Sequence, residues 1–121
     1  MLIVLVIGLA FYFKDKNNVY FDGGRVFEGI DPNTFEIIGD GAYAKDKNNV
    51  WKTYYESHGE YPASAILMAE ADTATFVFLE NYYAKDRNFV YLHSWILPDA
   101  DPVSVEILED GYAKDKNSVY F

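Results

Sequence analysis

The chain has 121 residues, half of them apolar, with 11 Tyr, 9 Phe, a formal net charge of −9 and no cysteine. That length suits one domain or a short run of repeats, and the aromatic-rich composition suits a folded, β-leaning chain. The acidic balance argues against a nucleic-acid partner, whose phosphates reward Lys and Arg. The missing cysteine excludes disulfides, thiolate metal sites, cysteine nucleophiles and a lipid-anchored cysteine.

The first segment, residues 1–10, is continuously apolar and too short to cross a bilayer, which needs ~20 residues. Two readings stand. One is a truncated export signal or anchor, with Gly8 and Ala10 placed for a cut after Ala10 but no basic residue before the run. The other is a buried first strand from Leu2 to Leu9.

The next element recurs four times. FYFKDKNNVYF from Phe11, AYAKDKNNVW from Ala42, YYAKDRNFVY from Tyr82 and GYAKDKNSVYF from Gly111 share one skeleton. Aromatic and small residues alternate on either side of a polar turn, which is strand spacing. In the turn, the carboxylates of Asp15, Asp46, Asp86 and Asp115 are expected to accept backbone N–H groups. Asn17, Asn48, Asn88 and Asn117 are expected to supply a left-handed conformation for re-entry into the second strand. Each copy therefore predicts a β-hairpin.

Between hairpins lies a second recurring phrase: Asp31-Pro32-Asn33-Thr34-Phe35, Asp72-Thr73-Ala74-Thr75-Phe76 and Asp101-Pro102-Val103-Ser104-Val105. Asp with Pro and then Thr or Ser closes a turn, and the run after it reads as a strand with Phe35 and Ile37, or Val105 and Ile107, on one face. From Asp15 to Asp46, Asp86 and Asp115 the spacings are 31, 40 and 29 residues. Such periods indicate units that bury their faces against neighbours. The longer spacing reflects an insertion near 53–70, read as a loop, in which Ala63 to Ala71 could form two helical turns. The expected fold is all-β, with antiparallel hairpin repeats of about 30 residues forming an elongated meander or solenoid-like stack over 11–121.

The hairpin phrase followed by Asp-Pro-x-Thr-Phe resembles the bacterial DKNYY repeat family over roughly Phe11 to Phe121. The chain departs from that pattern in the insertion, in Arg87 and Phe89, and in Thr73. The resemblance implies a bacterial origin and carries no catalytic residues or activity to transfer.

Candidate chemistry is sparse. Tyr20, Trp51, Tyr91 and Tyr120 occupy equivalent positions, as do Tyr12, Tyr43, Tyr83 and Tyr112. Each set predicts a ladder, which either packs inside the sheets or offers a stacking surface to a sugar or a partner's side chains. Lys on both sides of each turn Asp, with Arg87 in place of the second Lys beside Asp86, disfavours a calcium site. His58 and His93 have no metal or triad spacing, the acidic pairs Glu109-Asp110 and Glu70-Asp72 read as solvated surface, and Gly23-Gly24 as a plain turn. No catalytic residue, cofactor or metal is expected.

Two functions of different class follow. The first is a non-catalytic bacterial repeat protein of the envelope, or a secreted one, binding a protein or glycan, with membrane contact only through the N-terminal segment. The second is a cytoplasmic acidic inhibitor or immunity-type protein that covers a basic partner. The last hairpin lacks the continuation seen after the first, so the chain is expected either to be a fragment of a longer array or to have its open edge covered by another chain or a second copy.

Overall fold

The computed structural model describes residues 3–7, 10–21, 25–26, 29–39, 41–55 and 62–120, and the side chains of 14–20, 29–39, 41–53 and 65–120. Within them the chain forms fifteen short strands and one 3-10 turn at Glu109–Gly111, with no α-helix. The strands fall into four separate antiparallel sheets, each an open meander built around one copy of the hairpin phrase.

The first sheet contains β1 (Ile3–Ile7), β2 (Ala10–Lys14), β3 (Val19–Phe21) and β4 (Arg25–Val26). The second contains β5 (Glu36–Ile38), β6 (Tyr43–Lys45), β7 (Val50–Tyr55) and β8 (Pro62–Leu67). β9 (Val77–Phe78), β10 (Tyr83–Lys85), β11 (Val90–Leu92) and β12 (Trp95–Leu97) make the third. β13 (Glu106–Ile107), β14 (Ala113–Lys114) and β15 (Val119–Tyr120) make the fourth.

Equal phrases pair in equal register: Phe13 opposite Tyr20, Ala44 opposite Trp51, Ala84 opposite Tyr91, and Ala113 opposite Tyr120. Alternation then sends each hairpin's Val to the other face, because successive strand residues point opposite ways. The core forms where one sheet's Val face meets the next sheet's Ala–aromatic face. Val19 packs with Ile30, Phe35, Ala44 and Trp51. Val50 and Tyr43 pack with Phe76, Ala84 and Tyr91. Val90 and Tyr83 pack with Ala100 and Ala113, and Tyr120 lies against them. Val19, Val50 and Val90 are each 0 % exposed, so each contributes about 1.5–3 kcal/mol of burial.

Three expectations change. The left-handed Asn is absent, since none of Asn17, Asn48, Asn88 and Asn117 has positive φ. The Ala63 to Ala71 stretch begins as strand rather than helix, because β7 extends to Tyr55 and offers β8 a paired edge. Two isolated helical turns, being so short, would not have supported themselves. The insertion read as a loop is thus largely a longer hairpin arm, with 56–61 outside the described residues. The apolar start forms β1 at Ile3–Ile7, paired with β2.

Candidate binding site at the junction of the second and third sheets

Each hairpin turn is organised by its Asp. Oδ1 of Asp15, Asp46, Asp86 and Asp115 accepts the N–H groups of the second and third residues after it, all at 2.7–2.8 Å. The Asp N–H closes the loop on the carbonyl three residues on, at 3.0 Å in every copy. Asn17, Asn48, Asn88 and Asn117 thus enter through backbone N–H groups, which any residue but proline could supply.

The other carboxylate oxygen ties the turn to the linker before it. Oδ2 of Asp46, Asp86 and Asp115 accepts the N–H of Asp31, Asp72 and Asp101, each at 2.8 Å. The linker hydroxyls of Thr34, Thr75 and Ser104 donate to Asp31, Asp72 and Asp101. The same hydroxyls accept the N–H of Lys47, Arg87 and Lys116. Backward, the ammonium groups of Lys14, Lys45 and Lys85 donate to the linker carbonyls of Pro32, Thr73 and Pro102 at 2.9–3.1 Å. Every linker is therefore bonded to the hairpin on each side of it. Hydrogen bonds to the charged form lower a carboxyl pKa. The N–H groups of Asp101 and Asn117 hold Asp115 at about 2. In Asp86 burial pushes upward, but the N–H of Asp72 and the Tyr91 hydroxyl outweigh it.

The ladder Tyr20, Trp51, Tyr91 and Tyr120 lies at these junctions. Trp51 and Tyr91 are buried. The hydroxyls of Tyr20, Tyr91 and Tyr120 donate to the turn carboxylates of Asp15, Asp86 and Asp115 at 3.2, 2.7 and 2.9 Å. In the second ladder, the Tyr83 hydroxyl donates to the carbonyl of Gly111 in the next sheet at 2.9 Å. The Tyr43 hydroxyl lies 2.7 and 2.8 Å from the carbonyls of Tyr82 and His93.

One junction departs from the shared design. Lys52 takes the position that Leu92 occupies one unit later, yet it is only 3 % exposed. Its Nζ lies 5.4 Å from the ring centroids of both Tyr43 and Tyr82, a cation–π seat, and donates to the carbonyl of Thr53 at 2.7 Å. Burial pulls its pKa down to about 8. Tyr82 stacks on His93 with ring centroids 4.8 Å apart. Burial, with the Lys52 charge adding to it, lowers the His93 pKa. Both residues hold left-handed backbones, φ 66° and 56°. Such a value is an outlier for a residue as bulky as Tyr82, whereas His adopts it more readily.

His93 also borders an open apolar groove of about 370 Å³ lined by Leu92, Trp95, Ile96 and Leu97. Trp95 is 74 % exposed. His93 and Ser94 form the two-residue turn between β11 and β12, since Leu92 pairs directly with Trp95.

The DKNYY family profile matches residues 9–121. The chain belongs to the DKNYY family. No curated protein and no solved structure matches it.

Within this DKNYY chain, Lys52, Tyr82 and Trp95 were not singled out by the sequence reading, and His93 was set aside. A signal for them was available: Lys52 stands where two copies have Phe and one has Leu, and Tyr82 where another copy has Gly. Of the remaining candidates, Glu109 and Asp110 are exposed in the 3-10 turn, while Glu70 is exposed and Asp72 serves its linker. His58 and Gly23-Gly24 lie outside the described residues. Among the described residues no group of three His, Cys, Asp or Glu could hold a metal, and no helix is long and apolar enough to cross a membrane.

Proposed function

We propose that this chain is a non-catalytic binding module of the bacterial cell envelope, built as a solenoid-like stack of hairpin units that presents one specialised surface. The observation that carries the reading is the convergence of repeat-breaking residues. A purely structural repeat would keep one solution at each position, and local rules are broken where function demands it. Here a buried cation (Lys52) and two left-handed aromatic residues (Tyr82 and His93) meet beside an apolar groove. The exposed ring of Trp95 and the half-exposed ring of Tyr82 suit a sugar ring or a partner's apolar side chain. The turn carboxylates at all three junctions are spent on linker bonds, which supports a framework role for them.

Co-sedimentation with isolated bacterial cell-wall material tests the reading. The parent chain should pellet and Trp95→Ala should remain in solution. Equal behaviour of the two would reject the groove, and recovery of the native protein wholly in the cytosolic fraction would reject the envelope.

A second reading rests on charge placement. Eight of the ten basic residues flank the four turn Asp residues, at positions 14, 16, 45, 47, 85, 87, 114 and 116. Glu80, Glu109 and Asp110 are exposed in the loops at the other end of the sheets. An acidic end of this kind suits an inhibitor that covers a basic protein, and its association rate would fall steeply with added salt.

A further inference from the structure

Among the described residues, β12 is an edge strand of the third sheet. The His93 N–H donates to the Tyr82 carbonyl at 3.0 Å, so Tyr91 and His93 bond toward β10 while Val90 and Leu92 bond toward β12. The partners of Val90 and Leu92 are Leu97 and Trp95. Ile96, between those two, therefore directs its own N–H and C=O away from the sheet. Natural edges are commonly blunted by charged side chains, whereas β12 is Trp-Ile-Leu. Trp95, Leu97 and the cross-strand Leu92 share one face of the sheet, and that face opens as the apolar groove of about 370 Å³. Pro98 follows directly and confines any pairing to the length of β12.

The surrounding charge sets the partner's sign. Residues 88–113 include Asp99, Asp101, Glu106, Glu109 and Asp110 but no Lys or Arg. Glu70 is exposed, and its charge reaches the phenol of Tyr91, which pairs with Ile96. The third sheet's own cations are engaged: Lys85 donates to the Pro102 carbonyl and Arg87 pairs with Asp72. A second copy would bring the same net charge of −9 to this edge and be repelled.

We infer that β12 captures an extended segment of a basic polypeptide by strand addition. The inference rests on the groove reading above and narrows its ligand to a peptide rather than a sugar. The segment's backbone pairs with the N–H and C=O of Ile96. Its apolar side chains, at alternate positions, enter the groove against Leu92, Trp95 and Leu97. Its Lys or Arg residues lie on the other face and at its ends, toward the carboxylates.

The probe is the synthetic peptide Lys-Val-Lys-Leu-Lys-Val-Lys, titrated calorimetrically into the full-length chain. It should bind saturably, while a copy N-methylated at every residue, with the same charge and no backbone donors, should bind at least about tenfold more weakly. Trp95→Ala should weaken binding about fivefold by removing a groove wall. Ile96→Pro should abolish it, since Pro deletes the outward N–H at a position where edge strands tolerate Pro. Circular dichroism checks both folds, and the exposed Trp95→Ala decides the matter if Ile96→Pro does not fold. Absence of binding, or equal binding of the N-methylated copy, would overturn strand addition. Binding unchanged in the folded variants would also overturn it, by placing the peptide on another edge such as β8. Self-association that Ile96→Pro abolishes would overturn it in favour of a second copy. The cell-wall assay is a separate readout. Pelleting through Trp95 without peptide binding would remove strand addition and leave the groove reading, whereas peptide binding without pelleting would remove the envelope ligand and support strand addition.

Discussion

The ammonium of Lys52 sits 5.4 Å from the ring of Tyr82, and Tyr82 holds a left-handed backbone at φ 66° where the equivalent residue of the fourth sheet is Gly111 at φ 81°. A bulky residue pays roughly 1–2 kcal/mol for that conformation, and a cation withdrawn from water pays more. The two costs fall on one contact, and the contact returns about 1–2 kcal/mol of cation–π energy.

Replacing Lys52 by Leu, the residue found at the equivalent Leu92, should therefore raise stability. The expected gain is about 1–2 kcal/mol, since apolar replacement of buried charge is commonly neutral to stabilising. Urea denaturation of parent and variant measures it, and a loss of stability would mean that Lys52 contributes to the fold.

The pH profile follows from the same residue. Lys52 titrates at about 8 in the folded chain and near 10.5 unfolded. Between those values the unfolded state holds more protons, so stability climbs as pH rises, by at most on the order of 3 kcal/mol. Above ~10 the direction reverses, because unfolded tyrosines release protons while burial and the neighbouring Asp86 carboxylate keep the Tyr91 phenol protonated in the folded chain. Thermal melts across pH 7–11 should show a maximum near 10 that flattens in Lys52→Leu.

Tyr82→Gly should show coupling to Lys52. It relieves the backbone and removes one wall of the cation's seat, so it should be more favourable by ~1 kcal/mol in the Lys52→Leu background than in the parent. A double-mutant cycle reads this directly, and strict additivity would show that the ring and the ammonium do not interact.

Asp86 accepts four bonds: from Asn88, Phe89, Asp72 and Tyr91. Asp86→Ala strands these donors at a buried turn and should cost about 2–4 kcal/mol. Asp86→Asn keeps the two turn bonds but turns an amide NH₂ toward the Asp72 N–H, so a smaller loss is expected. Chemical denaturation of both variants would test the order, and an equal loss would put the whole effect on the missing charge.

Much of this fold is legible in the sequence because its units are written in repeated phrases. The alternation around Asp46 gives the hairpin, to which the structure adds the register and the burial of Val50 and Trp51. The fourth strands of the second and third sheets were not legible. β12 is three residues long and enters through a two-residue turn with left-handed His93, not one of the usual turn residues. Nor was the division into separate sheets legible, because Asp31 reaching Asp46 across fifteen positions is a tertiary bond. The special junction escaped notice because a Lys beside an aromatic looks like any exposed strand residue until a neighbouring sheet closes over it. Tyr82 looks like one more aromatic of the ladder until its backbone angle is known.

The linkers carry a mechanical consequence. The hydrogen bonds described for each linker run to the hairpins immediately before and after it. Drawn from its two extremities, such a molecule would surrender in instalments, one seam at a time, lengthening in steps while the remaining seams still hold.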